Sequence, residues 1–150
     1  MINLAKINDE TYYSQDAISR ISATDLLFLK EKVKSNPRKR IRICVHPGAD
    51  DTLHEMLIVL AKGIDLPPHK HKNKSESFHI VEGSLKVLFF DEDGTITDSV
   101  EMGDLASGKT FFYRLSKPIY HTVVPLSEIV VFHETTNGPF KPEDLIVAPW

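Results

Sequence analysis

The stretch "PPHKHKNKSESFHIVEG", Pro67 to Gly83, places three histidines and two glutamates in one short segment and closes on a Glu-Gly turn. His69 and His71 are spaced i, i+2, so in an extended chain both imidazoles lie on one face and Lys70 on the other. Pro67 and Pro68 favour that extended backbone and exclude a helix. Glu76 follows beyond the polar turn "KNKS", where it can return a carboxylate toward the pair. Taken alone, His-x-His with lysines 70, 72 and 74 around it fits a solvated loop as well as a metal cage.

Outward from this segment the chain reads as β structure. After Pro37, short runs alternate with turn signals: "RIRICVH", "HEMLIVLAKG", "ESFHIVEG", "SLKVLFFDEDG", "TITDSVEMGD", "TFFYRLS", "YHTVVPL" and "EIVVFHETTNG". Asp93-Gly94 is a hairpin signal of the kind that needs positive φ. About eight short strands without helices between them predict an all-β sandwich or closed barrel over residues 41–150 and disfavour a parallel α/β fold, which needs crossover helices. Residues 1–40 differ. "SATDLLFLKEKVKSNP" carries Leu26, Leu29 and Val33 at helical spacing, with Thr24 as N-cap and Pro37 past the end, and "SQDAISRI" predicts one further helical turn. This helical appendage is expected to be part of the same domain, and the apolar tail "GPFKPEDLIVAPW" to wrap over the barrel or a partner subunit.

With 150 residues and 26% charged residues the composition is that of a globular domain. A net charge of -3 gives no basic footprint for nucleic acid. The single cysteine, Cys44, excludes an internal disulfide and reads as a strand thiol. The start "MINLAKINDETYY" has no signal-peptide pattern and no apolar run reaches the ~18 residues of a membrane span, so the expectation is a cytoplasmic protein.

The spacing around the histidines carries more. Gly63, His69, His71, Glu76 and Gly83 read G-x5-H-x-H-x4-E-x6-G, which resembles the first motif of the cupin superfamily at every defined position. The resemblance implies a cupin double-stranded β-helix (jelly-roll barrel) and a second motif supplying one more histidine, for which His121 in "KPIYHTVV" is the match. There the chain departs from the family pattern: Pro118 stands three before His121 with no Gly between, and Pro125 takes the Asn position. From about Arg42 to Trp150 the chain is similar to the small cupin-fold metalloproteins of the WbuC family, which is associated with bacterial O-antigen and other surface-polysaccharide gene clusters. The resemblance implies one divalent metal held by His69, His71, Glu76 and His121. That ligand set leaves positions open for substrate and suits Zn, Fe, Mn, Ni or Cu without choosing between them.

Other candidates follow from strand parity. Glu55 shares a face with Leu57 and Val59 and is a pocket base if that face is the barrel interior. Of His133 and Glu134 only one can point inward. Arg42 and Arg114 are candidates to hold a substrate carboxylate or phosphate. His79 and Tyr120 are expected to face away from the metal. The functional expectation is a metal-dependent cupin enzyme acting on a small polar metabolite, a sugar or sugar nucleotide of surface-polysaccharide biosynthesis, by isomerase or epimerase chemistry. The alternatives are a non-catalytic metal-dependent saccharide-binding module, an Fe(II)-dependent dioxygenase, and a metal-free epimerase. A homodimer is expected, with a small-molecule ligand and neither nucleic acid nor membrane as partner.

Overall fold

A computed structural model describes residues 1–150. The runs read as strands in the sequence form β3 (Arg40–Cys44), β4 (Leu53–Ala61), β6 (Glu76–Glu82), β7 (Ser84–Phe90), β8 (Ile96–Gly103), β9 (Phe112–Leu115), β10 (Tyr120–Pro125) and β11 (Ile129–Asn137). The His-x-His segment is itself a strand, β5 (His69–His71). Three further short strands complete the set: β1 (Leu4–Lys6), β2 (Thr11–Ser14) and β12 (Leu145–Val147). They assemble into a seven-stranded sheet, β1-β2-β3-β4-β11-β6-β9, and a five-stranded sheet, β12-β5-β10-β7-β8. All pairings are antiparallel except β2 with β3.

Two apolar cores follow from the alternation of side chains. Leu60, Phe78, Ile80, Val130 and Phe132 of the larger sheet meet Leu85, Val87, Phe89, Met102 and Val123 of the smaller one inside the barrel. The opposite face of the larger sheet presents Ile41, Ile43, Leu57, Val59 and Val131 to helix α1 (Ala23–Lys34), which buries Leu29 and Val33 against them. Strands β4 and β11 are therefore covered on both faces. No helix is long and apolar enough to cross a membrane.

The first 40 residues are more than a helical appendage. They add β1 and β2 to the large sheet, and "SQDAISRI" forms no helical turn. The N-cap is Ser22 rather than Thr24: its backbone N–H donates to Asp25 Oδ2 at 2.8 Å, as the N3 residue of a capping box requires, and its hydroxyl donates to the same oxygen at 2.8 Å. Asp25, 1% exposed, also accepts from the Ile2 backbone N–H at 3.0 Å, tying the first residues to the helix. Burial opposes its charge, but these hydrogen bonds prevail and hold its carboxyl below the usual range. The tail adds β12 to the edge of β5, and Trp150 packs against Phe90 and Tyr120.

Candidate metal centre

Strand β5 is only three residues long and sits between two neighbours. His69 pairs in register with His121 of β10, and His71 with Leu145 of β12. The i, i+2 spacing turns both β5 imidazoles to the interior, where their ring centroids lie 5.0 Å apart, and the His121 ring is 4.7 Å from that of His69. One nitrogen from each of the three rings falls within 4.8 Å of the others. Two nitrogens bound to one ion at about 2.1 Å each are at most about 4.2 Å apart, so the set comes to a single ion with shifts below an ångström.

The rings are held by the backbone. His69 Nδ1 lies 3.1 Å from the Pro67 carbonyl and His121 Nδ1 lies 2.8 Å from the Ile119 carbonyl. A carbonyl only accepts, so both rings carry their proton on Nδ1 and turn Nε2 inward, the tautomer a metal-binding histidine needs. The glutamate of the motif stands beside the three rings. Glu76 is 5% exposed, and its carboxylate lies 2.8 Å from His121 Nε2 and 3.4 Å from His71 Nε2, while Tyr113 Oη donates to it at 3.3 Å. It reaches two of the three imidazoles, one with each carboxylate oxygen.

Burial, opposed in part by Glu76, depresses His71 to about 4 and also lowers His69, so both rings are neutral near pH 7. Burial acts the same way on His121, but its hydrogen bond to Glu76 prevails and raises it. Burial opposes the charge of Glu76, yet the same hydrogen bond and the attraction of the imidazoles lower it. The ion-free centre thus keeps a proton between Glu76 and His121. An ion must displace it, and a histidine raised above its ordinary pKa loses that proton as pH rises, so metal affinity should climb with pH through neutrality. Calorimetry in buffers of different ionisation enthalpy should find protons released as the ion binds, and fewer in Glu76→Gln. Equal release in both proteins would contradict this coupling.

The centre opens on a cavity of about 230 Å³. Its deep wall is apolar, with Leu60, Phe78, Val123 and Phe132, and its mouth carries Glu10, Arg40 and Arg42. Glu134 faces this cavity. Burial raises its carboxyl to about 8, with the Glu76 charge adding to the effect. His133 alternates to the outer face, where its Nε2 lies 3.4 Å from Glu55 Oε1. The face shared by Glu55, Leu57 and Val59 is the one under α1, so neither Glu55 nor His133 reaches the pocket. Arg42 lines the cavity, whereas Arg114 points outward and its Nε donates to Ser116 Oγ at 3.0 Å. His79 is exposed and Tyr120 packs beneath Trp150. Sequence reasoning missed Tyr113, whose parity with Leu115 places it inside. It also missed Glu10 and Arg40, which reach the mouth only because β2 pairs beside β3, and no local signal announces that.

Known proteins can be set beside this geometry. A family model described as "Domain of unknown function (DUF6016)" matches residues 21–102, more than half of the chain, from just before α1 to the end of β8. The chain belongs to DUF6016. The matched part holds His69, His71 and Glu76 but ends before His121. Solved structures similar to this DUF6016 chain include protein SO0799 from Shewanella oneidensis, with TM-score 0.54 and 16% identity over 68% of this chain and 65% of that one. CapF, solved with the inhibitor 3-isopropenyl-tropolone, aligns with TM-score 0.58 and 17% identity over 75% of this chain and 32% of its own. Oxalate decarboxylase of Bacillus subtilis, described for its Mn(II) centres, aligns with TM-score 0.50 and 17% identity over 65% of this chain and 24% of its own. The DUF6016 chain therefore spans about two thirds of the first of these proteins and a third or less of the other two. At such identities the likeness establishes the fold, a cupin barrel. No curated protein sequence matches the DUF6016 chain.

Proposed function

We propose that this protein is a mononuclear metal cupin that performs acid–base chemistry, of the isomerase or epimerase type, on a small oxygen-rich metabolite. The observation that carries the reading is three inward ring nitrogens within 4.8 Å of one another, opening on a cavity whose wall also holds the Glu134 carboxyl. Three imidazoles with the Glu76 carboxylate beside them suit a divalent transition ion, which when bound would act as a Lewis acid on a ligand oxygen. His69 and His71 offer neutral donors without losing a proton. Glu76 sets the charge of the centre and holds His121 in place. Glu134, with a pKa near 8, can give up a proton and take it back at physiological pH. The apolar wall of Phe78, Val123 and Phe132 excludes water from the reacting atoms.

The resemblance to the WbuC family supports a sugar of surface-polysaccharide biosynthesis as the metabolite. A space of about 230 Å³ lies below the usual range for drug-sized ligands, so one sugar ring enters and any attached nucleotide stays outside. The test is a panel of keto-sugars and nucleotide sugars assayed with and without chelator. Turnover should vanish with chelator and fall about a hundredfold or more in Glu134→Gln, while the metal content of that variant stays unchanged. Turnover indifferent to both would sink the proposal. Saccharide binding without turnover under any of iron, manganese, zinc, nickel or copper would make the protein a binding module. Oxygen uptake by the iron form alone would make it a dioxygenase.

A further inference from the structure

A second cavity, of about 320 Å³, adjoins the first, and Arg42, His71 and Glu134 line both. Besides Arg42 it is walled by Lys74 and Lys141. These three cations line one recess without a carboxylate partner. Arg38 and Arg40 are paired with Glu10, Lys30 with Glu82 and Lys70 with Glu92, but Arg42, Lys74 and Lys141 take part in no ion pair. The one hydrogen bond of the Arg42 guanidinium runs from Nε to Thr11 Oγ1 at 3.3 Å, which leaves its two terminal nitrogens free. Lys74 Nζ lies over the Phe140 ring, 5.5 Å from its centroid, and no carboxylate is within salt-bridge reach of it.

The carboxyls in this chamber do not balance that charge. Asp144 is one. The other is Glu134, which burial keeps largely protonated at neutral pH. Three unpaired cations lining one recess, two of which, Arg42 and Lys74, act on the Glu134 carboxyl, raise the local potential and draw in an anion. A guanidinium with two free terminal nitrogens matches the paired oxygens of a phosphate or a carboxylate.

We propose that this second chamber is a subsite for an anionic group, phosphate or carboxylate, carried by the ligand whose other end lies at the histidine centre. The idea rests on reading that centre as a ligand site. It narrows the ligand to a small molecule with metal-seeking oxygens at one end and an anion at the other, bridged past Glu134 at the junction of the two chambers. A neutral sugar would leave the recess unused, whereas a sugar phosphate or sugar acid would fill it.

The experiment titrates the metal-free full-length chain separately with inorganic phosphate and with acetate, at low ionic strength, by calorimetry or by chemical-shift changes. Metal-free protein keeps the readout independent of the histidine centre, so a failure of metal binding would show in metal titrations and leave this result untouched. Saturable binding of one anion should weaken about tenfold in Lys74→Gln and in Arg42→Gln. It should remain as in the parent protein in Lys72→Gln, which removes an exposed cation outside the chamber. The anion that saturates identifies the group. Binding of neither anion would overturn the proposal. So would binding that Lys72→Gln weakens as much as Lys74→Gln does, or that survives loss of both Lys74 and Arg42.

Discussion

Replacing His121 with alanine should strip the protein of its metal. The wild-type chain, loaded and desalted, is expected to retain about one transition ion per chain, and His121→Ala to retain essentially none, with affinity lower by more than about a hundredfold, since even loss of a partner behind a metal ligand costs 10–100-fold. His121 is 1% exposed and contacts Glu76 at 2.8 Å. Its removal therefore takes away a donor and also leaves a buried carboxylate without its main partner, which costs stability as well. His71→Ala separates the two effects, because His71 is partly exposed and its contact with Glu76 is the longer one, 3.4 Å. That variant should lose the ion to a similar degree and keep most of its thermal stability. Elemental analysis and thermal melting of the two variants decide the matter. A His71→Ala protein that holds its ion as firmly as the parent would remove the centre from consideration.

The second large effect concerns the backbone. Gly83 has φ +82°, and a Cβ there would stand 2.5 Å from the Ile129 carbonyl oxygen and 2.6 Å from Ser127 Oγ. Neither atom can yield cheaply. Ser127 Oγ accepts from the Ser84 backbone N–H at 3.0 Å, and the Leu126 N–H donates to the Ser84 carbonyl at 2.9 Å, so the crossing is stitched on both sides. The left-handed conformation costs a non-glycine residue about 1–2 kcal/mol and the clash adds more. Gly83→Ala is therefore expected to lose about 3 kcal/mol or more, a fall in Tm of roughly 6–12 °C for a chain of this size. Gly63→Ala supplies the internal control. Its φ is +83°, but the near contact is the mobile end of Lys39, at 2.9 Å, so only the conformational cost of about 1–2 kcal/mol remains. Equal, small shifts in both variants would show that the approach to Ile129 is not a constraint.

The two glycines that bound the histidine motif are thus positions where the backbone demands glycine, and this is why the motif was readable at all. The shared face of His69 and His71 was legible for a similar reason, since the two-residue period of a strand leaves no other arrangement. The facing of Glu55, His133 and Glu134 was not. The run "MLIVL" is apolar at consecutive positions because Ile58 and Leu60 enter the barrel while Leu57 and Val59 meet α1. A strand covered on both faces carries no alternation from which to tell inside from outside. Arg114 was misplaced by a related ambiguity, because the aromatic run of β9 puts Tyr113 inward and Phe112 outward with nothing in the sequence to rank them. The contacts of Glu76 with His121 and Tyr113 were out of reach for a different cause. Spacing says that a carboxylate returns to the histidines, but whether it joins them or hydrogen-bonds to them depends on Tyr113 and His121, which lie far along the chain. The strands β1, β2 and β12 escaped notice because strands of three or four residues are too short to show a period.

The placement of β12 ties the end of the chain to the histidines. The strand that holds His69 and His71 is three residues long and owes one of its two flanking ladders to Leu145–Val147. His121 of β10 stands on the other flank. The strand that carries two of the three histidines is thus framed by two distant parts of the chain, so a change in the last residues reaches the centre through the backbone without touching an imidazole.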